Sequence, residues 1–149
     1  MKPLLYSYLR DLKTELENCG LVAPILAVTS QGGLVDLDLM AESPILSLNS
    51  GPSMAPVAGK HFAELEKDDI AIVTDAGGTT FDVSLVRDGE IPRTRETWVG
   101  RRYEGNLTGF PSVDVKSLGA GGGSIASIEL GRLLKVGPES SGSKPGPIC

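Results

Sequence analysis

Cationic residues, aromatics, histidine, cysteine and long apolar runs are all scarce in this sequence, and most of these scarcities remove a class of function. Lys and Arg number 14 against 19 Asp and Glu, a formal charge of -5 over 149 residues. That balance excludes a broad phosphate-neutralising face for duplex nucleic acid and leaves room only for a local anion site. Aromatic side chains make up 5%, too few for platforms that stack bases or sugars. Two cysteines, Cys19 and Cys149, provide neither a disulfide framework nor a close-spaced metal site, which points to a reducing, cytoplasmic setting. No apolar run reaches the roughly 18 residues that span a bilayer, and charge interrupts the first ten positions, so no membrane or export signal is read. Glycine is what the chain has in excess: 19 residues, with 10 prolines, against a usual glycine share of about 7%. Turns and loops are therefore where chemistry is expected, while a hydrophobic share of 40% suffices for one real core.

Periodicity organises the rest. Leu5, Leu9, Leu12, Leu16 and Cys19 recur at helical spacing between Pro3 and Gly20, predicting an amphipathic helix. Residues 25–28 predict a strand, Ser30 to Gly33 a turn, and Leu34 to Met40 a second strand, with Pro44 to Leu48 extending the same sheet. Met54, Val57, Ala58, His61, Phe62 and Leu65 fall on one helical face, which makes His61 a packed core residue rather than a catalyst, in a helix weakened by Pro56. Residues 70–90 read as strand, glycine turn, strand and an Asp88-Gly89 turn, with Ile91 to Val99 as the returning strand. Residues 100–111 have no period and predict a loop. Val113 to Val115 is a short strand, the run 119–124 is glycine-rich, and residues 125–130 and 133–136 are strands about a Gly131-Arg132 turn. Gly137 to Cys149, rich in Gly, Pro and Ser, predicts a mobile or ligand-covering loop. The fold class expected is α/β, a mixed central sheet with flanking helices.

The strongest chemical signal is Asp75-Ala76-Gly77-Gly78-Thr79-Thr80-Phe81-Asp82. Gly77 and Gly78 let backbone N–H groups approach phosphate oxygens with no Cβ in the way, and successive N–H groups in such a turn make an anion-binding concavity. The Thr79 and Thr80 hydroxyls add donors. Asp75, placed at the end of a buried strand, needs a hydrated Mg²⁺ or an activated water to satisfy its charge, and Asp82 either shares that role or points away. The bland alternative is an ordinary hairpin turn with Asp residues capping its ends. No Lys follows the glycines, so a Walker loop is disfavoured. Gly119 to Ser124, with Gly121, Gly122 and Gly123 at its centre, is either a backbone surface for adenine or ribose or a flexible turn. Taken as a dinucleotide fingerprint it is weak, because Ser124 stands where the third glycine belongs. Arg93, Arg95, Arg101 and Arg102 around Trp98 read either as a site for a carboxylate or partner chain or as a solvated strand face. Cys149 reads as an exposed thiol.

Taken together, Asp75 to Asp82, Val113 to Ala126 with its Gly-Ala-Gly-Gly-Gly-Ser core, and Val136 to Pro147 resemble the hydantoinase A and 5-oxoprolinase family. The stretches Val83 to Pro92, Arg95 to Gly100 and Thr108 to Ser112 are most similar to its acetone carboxylase beta-subunit branch. The resemblance covers most of the chain, least of all residues 1–43. It implies an actin and sugar-kinase-like (ribonuclease H-like) architecture in which two domains clamp ATP. By the same resemblance Gly77, Gly78, Thr79 and Thr80 would contact phosphate. Asp75 would act on the metal or the attacking water, and Gly121, Gly122 and Gly123 would line the nucleotide side.

Family members use ATP to phosphorylate the oxygen of a hydantoin, a lactam such as 5-oxoproline, or a ketone, ahead of hydrolysis or carboxylation. A small-molecule substrate and a partner subunit are thereby implied, with no nucleic acid and no membrane. Family members are several times longer and carry a second D-x-G-G-T element, so the chain is expected to be a fragment of a hydantoinase A domain that is inactive alone. Within it, residues 44–136 would form the nucleotide-binding core, 1–43 a leading helix and strands, and 137–149 a loop. Two alternatives of other classes stand beside this reading: a non-catalytic interaction or scaffold module, and a Rossmann-type dinucleotide-binding domain, which requires a helix from Ser124 to Leu134.

Overall fold

A computed structural model of the chain describes residues 2–100, 103–144, 146 and 147. Arg101, Arg102 and Cys149, singled out from the sequence, lie outside them, as does Pro145 of the third motif. The Leu-striped helix forms as expected, α1 (Lys2–Asn18), followed by the hairpin β1 (Leu26–Val28) and β2 (Leu34–Asp36). The second strand is shorter than its alternation predicted. Asp36 turns the chain instead: its side chain accepts from the Asp38 N–H at 2.8 Å, capping α2 (Leu37–Glu42). Leu37, Met40 and Ala41 then bury against Leu9 of α1, which a continued strand would not permit. Residues 44–47 form a 3-10 turn rather than extending the sheet, because Pro44 occupies its first turn.

Next comes α3 (Ser50–Glu66), with Pro56 inside it. Its packed face is rotated from the expected one. Ser53, Pro56 and Ala63 are buried, while Ala58, His61, Phe62 and Leu65 are exposed, so His61 is not a core residue. The small side chains let the helix lie close on the strands beneath it. At Gly59 an added Cβ would collide with the side chain of Val73. Those strands are β3 (Ala71–Ala76) and β4 (Phe81–Val86), antiparallel with Asp75 opposite Asp82.

Beyond the Arg87–Glu90 turn, the stretch expected to return as one strand breaks up. It gives β5 (Arg93–Thr94) and β6 (Trp98–Val99), which pair with β8 (Ser112–Val113) and β7 (Asn106–Leu107) respectively. The third strand of the central sheet is β9 (Val115–Leu118), laid antiparallel on β4 with Ser117 opposite Asp82. Finally β10 (Ser124–Glu129) and β11 (Leu133–Ser140) form a long hairpin. The strand β11 runs through Gly137, Pro138 and Glu139, where composition had predicted loop. Strands at 124–129 and 133–140 also remove the helix that a Rossmann-type reading requires.

Directly opposed residues of an antiparallel sheet share a face. One face of β3–β4–β9 therefore carries Val73, Asp75, Asp82, Ser84, Val86 and Ser117, and α3 packs on β3 and β4, with Val86, at the end of β4 opposite Ala71, fully buried. Replacing Gly59 by Val should lower the unfolding free energy by about 1–3 kcal/mol, the usual cost of overpacking, whereas Phe62→Ala on the outward face should stay within about 0.5 kcal/mol. Urea unfolding midpoints check both, and equal midpoints would refute the packing described.

Candidate functional site

The hairpin tip between β3 and β4 is built by its neighbours. The Gly77 N–H donates to the Thr80 carbonyl at 2.9 Å, closing the loop. From the other side the glycine run after β9 arrives in backbone contact: the Gly122 N–H donates to the Gly77 carbonyl at 2.9 Å and the Gly123 N–H to the Gly78 carbonyl at 2.8 Å. Approach this close requires glycine at 121, where an added Cβ would lie 2.6 Å from the Gly77 carbonyl oxygen and 2.8 Å from the Thr79 nitrogen. The run is itself braced, with the Gly121 N–H donating to Ser124 Oγ at 2.8 Å and the Ser141 N–H to the Gly123 carbonyl at 2.8 Å.

This docking decides where the hairpin's donors point. In a planar trans peptide the carbonyl and the N–H that follows it point in opposite directions. Holding the Gly77 and Gly78 carbonyls toward the glycine run therefore turns the Gly78 and Thr79 N–H groups away from it. Among the described residues nothing accepts from the backbone N–H of Gly78, Thr79 or Thr80. Three successive donors thus remain at a half-open loop, which is the arrangement of a backbone anion nest.

The two carboxylates differ. Asp75 is exposed, contrary to the buried strand end expected for it, β3 lying at the sheet edge. Asp82 is 7% exposed; its Oδ2 accepts from the Thr80 hydroxyl at 3.4 Å, and its buried Oδ1 has no partner among the described residues. An orphaned buried carboxylate oxygen is costly and suits a cation that keeps most of its water and takes one or two carboxylates besides phosphate oxygens, as Mg²⁺ does. No cluster of three or more His, Cys, Asp or Glu side chains that would cage a metal occurs among the described residues.

Of the residues singled out from the sequence, Asp75, Gly77, Gly78, Thr79, Thr80, Asp82 and Gly121 to Gly123 are thus brought together. Their parts divide. Gly77 and Gly121 support the tip, since the Gly77 N–H is consumed and Gly121 faces the hairpin. Gly122 and Gly123 border an open hollow with Ser124, Ile125 and Ser141. Arg93 and Arg95 are exposed on the solvent side, while Trp98 stacks edge-on to Tyr103 at 5.5 Å. What sequence reasoning missed is Ser141, whose backbone and hydroxyl both clamp Gly123 from β11's end; no local pattern marks it, because the contact is made across the long hairpin.

With that geometry in place, comparison with known proteins is informative. The hydantoinase/oxoprolinase family model matches residues 1–149. The caprolactamase subunit alpha of Pseudomonas jessenii is 36% identical over 149 residues, covering 100% of this chain and 21% of its own. The crystal structure of the ATP-dependent caprolactamase from that organism aligns with a TM-score of 0.78 over 100% of this chain and 21% of its own, at 36% identity. The 5-oxoprolinase of Saccharomyces cerevisiae is 31% identical over 150 residues, covering 100% of this chain and 11% of its own. A nucleotide-free acetone carboxylase structure shares the fold, with a TM-score of 0.65 at 24% identity over 89% of this chain and 18% of its own. The chain thus spans about a fifth or less of these relatives. The expected α/β, actin-like class is borne out, and no helix among the described residues is long and apolar enough to cross a membrane.

Gly121→Val should break the docking without touching the hairpin sequence. Amide exchange at Gly122 and Gly123, slow in the parent, should accelerate at least tenfold, while Gly78 and Thr79 exchange rapidly in both proteins. Slow exchange at Gly78 and Thr79 in the parent would contradict free donors at the tip.

Proposed function

Because the chain belongs to the hydantoinase/oxoprolinase family, we propose that it is the nucleotide-binding part of a longer ATP-dependent enzyme that activates a small amide or ketone by phosphorylating its oxygen. The observation that carries this reading is the row of unconsumed Gly78, Thr79 and Thr80 N–H groups, the first two turned outward by the glycine run. In this reading they take the β- and γ-phosphate oxygens, and the Thr79 and Thr80 hydroxyls add donors. Hydrogen bonds to charged oxygens are the stronger kind. Asp82 and Asp75 would hold a hydrated Mg²⁺, which would supply charge stabilisation to the phosphates, and Asp75, the exposed one, would also act on the attacking water of the later hydrolysis. Gly122 and Gly123, with Gly121 behind them, present backbone to the nucleoside.

Phosphoryl transfer demands little covalent chemistry from a protein, so positioning and charge stabilisation are the parts asked of these residues. The substrate oxygen attacks the γ-phosphorus as ADP departs, and the proton leaves from the amide nitrogen or the ketone's α-carbon. For an amide, water then adds to the activated carbon, the C–N bond breaks as its nitrogen takes up a proton, and the acyl phosphate that remains is hydrolysed by a second water to carboxylate and phosphate; for a ketone, the enol phosphate is the nucleophile for carboxylation and phosphate departs. The Pseudomonas relative is named a subunit, which supports a partner subunit for the whole enzyme. Residues 44–136 form the nucleotide-binding core in this proposal, and the facing half of the nucleotide clamp belongs to sequence outside these 149 residues.

Calorimetric titration of the complete polypeptide with Mg²⁺ and a nonhydrolysable ATP analogue tests the proposal. Gly78→Val should weaken binding about tenfold or more, the loss of one or two charge-assisted hydrogen bonds. Asp82→Asn should abolish most of the gain in affinity that Mg²⁺ confers. Equal affinity in all three proteins, or none in the parent, would instead leave a non-catalytic interaction module.

A further inference from the structure

Ser141 takes no part in the nucleotide reading, yet it holds the loop on which that reading depends. Both of its donors are spent on one acceptor, the Gly123 carbonyl, the N–H at 2.8 Å and the hydroxyl at 3.1 Å. Neither is left to donate to a ligand in the hollow that Ser141 borders with Gly122 and Gly123. Its effect passes instead through Gly123, whose own N–H donates to the Gly78 carbonyl at 2.8 Å. That carbonyl and the Thr79 N–H belong to one peptide plane, so whatever fixes Gly123 also fixes where the Thr79 donor points.

The glycine run does not supply this hold by itself. Its turn closes on its own atoms, the Ser124 N–H donating to the Gly121 carbonyl at 2.9 Å and the Gly121 N–H to Ser124 Oγ at 2.8 Å. A turn bonded only to itself and to the hairpin tip would move with that tip, so the fixed reference is β11. Gly137, the buried residue of that strand, lies so close to Gly119 that an added Cβ would collide with the Gly119 carbonyl oxygen. Four residues further along, Ser141 grips Gly123, itself four residues beyond Gly119. The run is thus attached at both ends to one stretch of chain, which is laddered to β10 over most of its length. The attachment at Gly137 is steric, and the one at Ser141 is made of hydrogen bonds. We propose that Ser141 is a positioning residue for phosphate binding: by fixing the Gly123 carbonyl it sets the direction of the Thr79 N–H at the hairpin tip, without touching the nucleotide. This role rests on the nucleotide reading above.

Calorimetry on the complete polypeptide with Mg²⁺ tests it, using a nonhydrolysable ATP analogue, inorganic tripolyphosphate and adenosine as probes. Ser141→Ala removes the hydroxyl and keeps the N–H, and should weaken the analogue and tripolyphosphate alike by about threefold, the loss of one ordinary hydrogen bond. Ser141→Pro removes both donors behind a residue, Ser140, that is already extended as proline requires, and should cost about tenfold or more. Adenosine affinity and the thermal midpoint should stay at parent values in Ser141→Ala, and Ser141→Thr, which keeps both donors, should bind phosphate like the parent. The proposal is overturned if Ser141→Ala and Ser141→Pro both bind the analogue as tightly as the parent does. It is overturned equally if Ser141→Ala weakens adenosine and the analogue while sparing tripolyphosphate, the mark of a direct nucleoside contact, or weakens all three with a fallen midpoint, the mark of general loosening. A parent that binds none of the probes overturns the nucleotide reading and this role with it, whereas variants that match a parent able to bind the analogue overturn this role alone.

Discussion

The candidate site depends on the contact between two backbones, the glycine run 121–123 laid against the tip of the β3–β4 hairpin. Two hydrogen bonds, from Gly122 and Gly123 to the carbonyls of Gly77 and Gly78, do more than anchor a loop. By fixing two peptide planes they dictate the direction of the N–H groups that follow. A flexible Gly-Gly turn in isolation would spread those donors over many orientations and lose that freedom on meeting an anion. Here the ordering is done on folding, by strands and a second loop. That the requirement for glycine at 121 is steric separates this run from an ordinary flexible linker: the atoms an added Cβ would meet are backbone, which cannot swing aside as a side chain end can.

The same sheet shows a second constraint, uneven cover. On one face α3 packs through small side chains, leaving Val86 and Ser84 buried. On the other, Ile72 is 73% exposed and Leu118 56%, with Leu85 beside them. Sheets in α/β proteins commonly bury both faces, and a bare apolar face beside a bare edge strand β3 agrees with a chain spanning about a fifth of the relatives it matches. The long hairpin β10–β11 has the same character, for Ile128, Leu133 and Leu134 are exposed along it. Yet the hairpin tip and glycine run are formed without that cover, since every bond that orients them lies within residues 77–141.

How much of this was legible in the sequence follows from the range of the forces involved. The α1 stripe, the paired strands around Gly77-Gly78 and the β10–β11 hairpin rest on local period and turn chemistry, and were readable. Residues 37–42 misled because Leu34 to Met40 alternates like a strand, and only burial of Leu37, Met40 and Ala41 on α1 settles helix. The packed face of α3 was rotated for a similar reason: hydrophobicity favoured Phe62 and Leu65, while the strands beneath select small residues for close approach. Residues 91–99 form fragments because their partners, 106–107 and 112–113, are remote, and pairing of that kind leaves no local mark. The residues that meet at the hairpin tip were readable by type, from the spacing of glycines, threonines and aspartates. Their division into supports and donors was not, because it depends on which carbonyls the second loop occupies.

The aspartate pair shows what such a division means for chemistry. Directly opposed like charges on neighbouring strands ordinarily destabilise a sheet, and Asp75 faces Asp82 across β3 and β4. Burial sharpens the conflict, because Asp82 has one oxygen turned to the Thr80 hydroxyl and the other to nothing. Two hydrophobic residues at these positions would give a more stable hairpin, so the arrangement carries a cost in the free chain. In the proposed reading a bound cation would relieve both parts of it at once, screening the repulsion and satisfying the orphaned oxygen. The affinity for a metal–phosphate complex would then include the release of unfavourable electrostatics, in addition to the contacts formed. On this argument the exposed Asp75 would be the partner able to exchange between cation and water, while Asp82, fixed by Thr80, would hold its place.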